Sequence, residues 1–350
     1  MKNTLIIFIL SFALFSSCSE DNSPIDVPQP SGAILDLNVG GPSEPNQVWV
    51  ALDVKNMKVT PRNAWDFGFY CGNEFRVIIN TSLQMAAGKL DVTDIDSVSE
   101  TDVASLKPII AIGTSQTDNI NYVDDVKGNY LQRTAIDAVS QNNDENKVYL
   151  INMGYDLYYG SSTSLNIKGE HRGWKKIRIL RNGTNGYKIQ YANLSDTTHE
   201  EFVINKKADY DFNFLSLEKG IADVQPPKTD WDLCYTVFVN EIPGHGTYSY
   251  SDFITTNMMN NVSVYMASVS EVGSYDAFER KNVDYTKFIT DDQRVIGASW
   301  RTTFGGATAY TDRFYILKDH VGTLYKIRFI KLTDSNNNRG YPQFEFDVLN

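Results

Sequence analysis

Four histidines and three cysteines are all that this 350-residue chain contains, and the scarcity excludes much chemistry. No Cys-x-x-Cys pair and no His-Glu-x-x-His occurs, so the usual zinc spacings are missing. Gly-x-Ser-x-Gly and the Gly-rich phosphate loop are missing too. These absences argue for a non-enzymatic role. Basic runs are short. The longest, "GWKKIRILR" around Lys175, alternates charge with Ile as one strand face would. With a net charge of −11, that leaves no footprint for nucleic acid. The acidic stretch "DVTDIDSVSE" from Asp91 lacks the central glycine of a calcium loop and reads as a solvated turn.

Long apolar runs are also lacking. The longest, "LIIFILSFALF" from Leu5, is too short to span a bilayer, which takes about 20 residues. It follows Lys2 and has the length of a signal-peptide core. "FSSC" then ends on Cys18, a lipobox in which Phe15 replaces the usual Leu. Residues 1–17 are therefore expected to be a lipoprotein signal peptide, with Cys18 lipidated as the new N-terminus. Residues 18–32 are acidic, Ser-rich and Pro-rich, the composition of a flexible tether. "SEDN" after the cysteine resembles the acidic signal that sends some lipoproteins to the bacterial cell surface. The expected location is the outer membrane, lipid-anchored, at the cell surface.

What the chain does have is a repeat. "NAWDFGFY" and "TDWDLCYTVF" place Trp65 and Trp231 166 positions apart (231 − 65). "KVYLI" at Lys147 and "RFYIL" at Arg313 keep that offset (313 − 147 = 166). "KIRI" at Lys176 and "KIRF" at Lys326 shorten it to 150 (326 − 176), because "DLYYGSSTSLNIKGEHRGW" in the first copy faces only "DHVGTLY" in the second. "VWVALD" parallels "FNFLSLE", and "YKIQYANL" parallels "FEFDVLN". The period is that of whole domains, and two tandem units are expected at residues 33–205 and 206–350. Both copies are made of short β-branched and aromatic runs broken by Gly, Asn, Asp and Pro. The expected class is all-β, with antiparallel domains and single helical turns near Thr101 and Val283. Alternation places Trp231, Leu233, Tyr235 and Val237 on one buried face, with Asp232 opposite, free to accept backbone or Arg donors. Cys71 and Cys234 read as small buried apolar residues; the envelope would also permit a disulfide between them.

The lipobox, the Trp-Asp strand and the C-terminal set "YIL…YKIRF…FEF" together resemble the HmuY family of haem-binding lipoproteins. The resemblance is best from Phe212 to Asn350. It implies an all-β fold and haem binding for iron acquisition, with haem or a haemoprotein and an outer-membrane haem receptor as partners. It also implies that membrane contact is through the lipid anchor only. Axial ligands in the family are a His pair or a Met pair. The first is expected in "GHGTYSYSDFITTNMMNNVSVYMAS", which offers His245, Met258, Met259 and Met266 beside Tyr248 and Tyr250. Alternation after Val262 and Val264 points Met266 into a core, whereas Met258 and Met259 fall in a polar loop. The second ligand is expected in "ASWRTTFGGATAYTDR", where Tyr310 stands in for the absent His or Met. The alternative is a non-enzymatic module of the same fold without haem, recognising a glycan or a protein partner. Replacing Cys18 with Ala is expected to move the protein from the membrane to the soluble fraction. Continued membrane partitioning of that variant would contradict the lipobox reading.

Overall fold

The computed structural model describes residues 31–114 and 116–350. The signal peptide, Cys18 and most of the tether lie outside the described residues. The chain runs through β1 (Ala33–Asp36), β2 (Asn46–Ala51), β3 (Asn56–Pro61), β4 (Phe67–Tyr70), β5 (Val77–Ile79) and β6 (Ala86–Lys89). After a long irregular stretch come β7 (Val148–Asn152), β8 (Trp174–Arg181), β9 (Gly186–Asn193), β10 (Glu200–Asn205), β11 (Phe212–Ser216) and β12 (Gly220–Ala222). The last third holds β13 (Leu233–Ile242), β14 (Gly246–Thr256), β15 (Ser263–Ser268), β16 (Arg301–Thr302), β17 (Thr308–Ala309), β18 (Arg313–Lys318), β19 (Leu324–Thr333) and β20 (Arg339–Val348). Among the described residues helix is confined to short pieces, the longest the six-residue 3-10 helix Thr117–Tyr122; 3-10 turns at Arg280–Asn282 and Tyr285–Lys287 flank Val283, whereas the stretch after Thr101 forms hydrogen-bonded turns and no helix. The fold is all-β and its main sheets are antiparallel.

Four large sheets form two sandwiches. One pairs the order β12-β11-β4-β5 with β10-β9-β8-β7-β6. Phe67, Phe69, Ile151, Ile177 and Tyr187 fill the core between them. The other pairs β14-β13-β2-β3 with β1-β20-β19-β18-β15, over Val48, Tyr235, Tyr315, Ile327 and Phe344. The two orders match strand for strand. The expected boundary between 205 and 206 does not coincide with a break in hydrogen bonding. Strands β10 to β12 end the sheets begun by β4, while β1 to β3 complete sheets whose other strands start at β13. The second sandwich therefore needs both ends of the chain, and the first is continuous in sequence.

The Trp-Asp pairs sit at the joints of this exchange. Asp232 accepts from the amide of Leu52 at 2.8 Å, and Asp66 from the amide of Leu217 at 2.8 Å. Each carboxylate thus holds the turn of a hairpin that comes from the other half of the sequence. Arg172 also donates to Asp66 at 2.6 Å. Behind each pair an asparagine closes the loop. Asn80 donates to the carbonyls of Arg62 and Trp65, and Asn257 to those of Lys228 and Trp231, all at 2.7–2.8 Å. The aromatic of each exchanged hairpin lies opposite a small residue: Trp49 faces Cys234, and Phe214 faces Gly68. A Cβ on Gly68 would stand 3.1 Å from the Phe214 ring and 2.8 Å from Ile78, so a side chain there would push the hairpin away. The "KIR" lysines match as well. Lys176 donates to the carbonyls of Val98 and Asp196, and Lys326 to those of Tyr275 and Phe278, tying down the segments that cover the outer faces.

Two details of the Trp231 strand differ from simple alternation. Trp231 precedes β13, and its ring packs with Cys234 rather than with Leu233 and Tyr235, which fill the sandwich core. A bulge between Thr236 and Phe238 then takes Val237 off the core face. Cys71 is half-buried and Cys234 buried; both are free thiols.

Burial pushes the Asp232 carboxyl up to about 7, although the Leu52 amide favours its charged form. An unfolded Asp releases its proton near 3.9. Between these values the native state holds a proton that the unfolded chain has lost, so this group's contribution to stability falls as pH rises. Asp232→Asn keeps an acceptor for Leu52 without the charge. Its unfolding free energy, measured with denaturant, is expected to drop less than wild type between pH 5 and pH 8, by about 1–3 kcal/mol. Equal drops in both proteins would contradict the assignment.

Candidate functional site

Two recesses lie where the sandwiches and their loops meet. The first is a cavity of about 110 Å³ between the outward faces of the two four-stranded sheets. Trp49 packs edge-on to Trp231, and Trp65 to Phe214, each at 4.8 Å between ring centroids. These matched pairs, with Phe212 and Tyr130, make the walls aromatic. Met258 and Met259, on the 3-10 turn that follows Asn257, line it, as do Thr81 and Ser82 of the matching turn. Val237, displaced by the bulge, lines it too. Among the described residues no lysine, arginine or histidine does. Burial pushes the Asp124 carboxyl in its lining up to about 7 and raises that of Asp211.

The second recess is an open cleft of about 740 Å³. Tyr248 and Tyr250 of β14 form one wall, with ring centroids 5.0 Å apart. Arg301 and Phe304, from the β15–β18 connection, and Arg339 of β20 form another. Leu165 to Lys168 close it, and they belong to the insertion that the second repeat lacks. Phe304 is 91% exposed and Tyr248 48%, large apolar rings left uncovered at the cleft mouth.

Charge in the cleft is set by a buried network. Asp252 lies in the left-handed region at φ 51° and receives the Tyr235 hydroxyl at 2.8 Å. Arg339 donates to it, and Arg301 Nε lies 3.3 Å away. Burial alone would raise the Asp252 carboxyl, but Arg339, a hydrogen bond from Glu44 and Arg301 outweigh it and hold it below its usual value. Burial, and then the Asp252 charge, raise Glu44 well above the carboxylate range. Glu44 is thus kept toward its neutral form. Two guanidiniums then face one carboxylate, and with Lys168 the cleft carries a net positive charge.

The residues expected to bind haem are not brought to one place. Met258 and Met259 are together at the small cavity, whose volume is below the roughly 300–1,000 Å³ of sites for ligands of porphyrin class. His245 is exposed in the turn between β13 and β14, close in sequence to the cleft-lining Ile242 but outside the lining. Met266 is 44% exposed rather than in a core. It shares the Val264 face, but on edge strand β15 it runs past the core, and the Arg313 guanidinium lies 4.0 Å from its sulfur. The same guanidinium stacks on Tyr310 at 4.2 Å, so Met266 and Tyr310 flank one arginine. The cleft has the size and charge for a planar dianion, but among the described residues it offers iron only the phenols of Tyr248 and Tyr250. Sequence reasoning named both tyrosines as neighbours of the ligand. It missed Arg301, Phe304 and Arg339, which come together only through the fold.

Comparison with curated proteins gives no match. Three solved structures resemble parts of the chain. One is a protein of Bacteroides fragilis described as a lipoprotein, 15% identical, covering 52% of this chain and 93% of its own, with a TM-score of 0.23. The second is the apo form of an HmuY analogue from Tannerella forsythia, 14% identical, covering 50% of this chain and 96% of its own, with a TM-score of 0.22. The third is apo PinO from Porphyromonas gingivitis, 14% identical, covering 50% of this chain and 97% of its own, with a TM-score of 0.23. The family model described as HmuY protein matches residues 43–346, from the turn before β2 to the last strand. The exchanged hairpins, the Trp-Asp joints and both recesses fall inside that match, and the chain belongs to the HmuY family.

Proposed function

We propose that this protein is an outer-membrane lipoprotein, anchored at the cell surface through Cys18, that captures haem for iron acquisition and passes it to an outer-membrane receptor. The family match over residues 43–346 carries the reading. The make-up of the cleft supports it. Both sequence stretches in which the resemblance puts ligands contribute to it, one through Tyr248 and Tyr250, the other through Arg301 and Phe304. Arg301, Arg339 and Lys168 would pair with the two propionates. Phe304 and Tyr248 would cover the faces of the ring, and their burial against it would stabilise the complex by about 25 cal/mol for each Å² removed from water. A tyrosine phenol would supply the iron bond. A second reading rests on the lack of His and Met among the described residues of the cleft: the same recess would hold the macrocycle with no protein bond to the metal.

Titration with ferric haem and with metal-free protoporphyrin separates the two. Haem is expected to give a shifted, sharpened Soret band, altered in the Tyr248→Phe/Tyr250→Phe double variant. Phe304→Ala is expected to weaken binding about tenfold, the loss of one well-packed aromatic contact. The Met258→Ala/Met259→Ala double variant is expected to leave the spectrum unchanged. Equal binding of haem and metal-free protoporphyrin, without a Soret shift, would favour the second reading. Binding that ignores the tyrosine and phenylalanine changes would place the site outside the cleft.

A further inference from the structure

The chain enters its folded body at one end of the second sandwich, and the cleft opens at the other. Lys55 Nζ donates to the Ser31 hydroxyl at 2.5 Å, which fixes the point of entry beside the β2–β3 turn. Strand β1 then pairs with the last part of β20, Ala33 opposite Phe346. Arg339, which lines the cleft, starts β20 seven residues earlier (346 − 339). At the usual strand rise that separation is about 24 Å. Strand β14 has the same polarity. Tyr248 and Tyr250 line the cleft near its start, whereas its last residue, Thr256, pairs with Leu233, which pairs with Val50 near the end of β2.

Two exposed turns mark the end where the chain enters: residues 52–55 between β2 and β3, and residues 319–323 between β18 and β19. They lie side by side, because Asp53 of one and Asp319 of the other both act on the Asp232 carboxyl and on the Tyr325 phenol, raising each. Their acids are spent on their own backbone. Asp319 is buried and accepts from the amides of Val321 and Thr323, and Asp53 accepts from the amide of Val54. Their valines point the other way: Val321 is 73% exposed and Val54 66%, with Lys55 and His320 exposed beside them. A single exposed valine is ordinary. Two on adjoining turns, next to the point of entry, have a surface within reach. Residues 18–30, thirteen in all, join Cys18 to Ser31. A random coil of that length spans about 20 Å on average, so a lipid on Cys18 keeps this end nearer the bilayer than the cleft. We infer that the turns at residues 52–55 and 319–323 form the face that rests on the lipid surface, with Val54 and Val321 entering the headgroup region and Lys55 meeting its phosphates. The cleft then opens away from the membrane, toward the medium. Contact through two valines is weak by itself, and the anchor makes it intramolecular, so no large interface is needed. This inference rests on the lipid anchor proposed above and not on haem binding.

The test is fluorescence quenching by a lipid with a nitroxide on its headgroup. The mature acylated protein is reconstituted in vesicles of phosphatidylethanolamine and phosphatidylglycerol, with and without that lipid. Acylation blocks Cys18, Cys234 is buried, and Cys71→Ser removes the remaining thiol. Val54→Cys, Val321→Cys and Phe304→Cys, one per protein, then each carry one fluorophore. The labels at 54 and 321 are expected to lose fluorescence when the nitroxide lipid is present, and the label at 304, at the cleft mouth, to keep it. Val321→Asp is expected to lessen the loss at 54, because a charged tip does not enter the lipid. Thermal unfolding by circular dichroism checks that each variant folds, and the two turns are labelled in separate proteins so that either carries the test alone. Flotation of the vesicles reads the anchor by itself. Protein that does not float would overturn the anchor and the inference together. Protein that floats with equal loss at all three positions, with greater loss at 304, or with no loss at 54 and 321 would overturn the inference alone.

Discussion

A buried carboxylate accepting one backbone amide, used twice, holds this molecule together. Asp232 takes the Leu52 amide and Asp66 takes the Leu217 amide. Those bonds pin the turns of two hairpins whose strands β2 and β11 pair with β13 and β4, in sheets that belong, in sequence, to the other half of the chain. The rest follows from the position of the hairpins. Strands β2 and β13 have a sandwich core on one side and the opposite sandwich on the other, so both their faces are buried and their sequences are nearly continuous apolar runs. Trp49, Trp231, Trp65 and Phe214 meet because the exchange stacks the two four-stranded sheets back to back.

That stacking separates two kinds of recess. The inner one is small and aromatic, and no lysine, arginine or histidine among the described residues lines it. The outer one is large, and two arginines and a lysine border it. The buried Glu44–Asp252 pair decides the outer charge: with Glu44 kept toward its neutral form, only one carboxylate opposes Arg301 and Arg339. Had both been charged, the cleft would have been close to neutral at its base. Tyr235 also binds Asp252, and its ring is in the sandwich core, so packing and charge are coupled through one side chain.

The all-β class, the equivalence of the Trp-Asp stretches and the hydrogen-bonded role of Asp232 were legible because each depends on local pattern. The insertion after Asp156 was legible too, as an interruption of the repeat, and it proves to close the cleft. The exchange was not. Alternation tells which face of β2 or β11 is apolar, but a strand with both faces buried carries no mark of which strand lies beside it. Trp231 was placed on the wrong face because the residue precedes the strand, where period-two counting does not apply. Met266 fits the alternation, yet the core ends before it on an edge strand. The cleft was invisible for a different reason: Lys168, Tyr248, Arg301 and Arg339 lie far apart in sequence and share no motif.

The exchange is the claim on which both recesses depend, and the fragment that folds alone tests it most directly. Residues 62–225 contain β4 to β12 and all strands of the first sandwich. Residues 33–205 contain β1 to β3 without their partners and lack β11 and β12, which Asp66 and β4 require. Urea unfolding of the two fragments, followed by tryptophan fluorescence and circular dichroism, is expected to be cooperative for 62–225 and featureless for 33–205. A cooperative transition in 33–205, with none in 62–225, would contradict the exchanged arrangement.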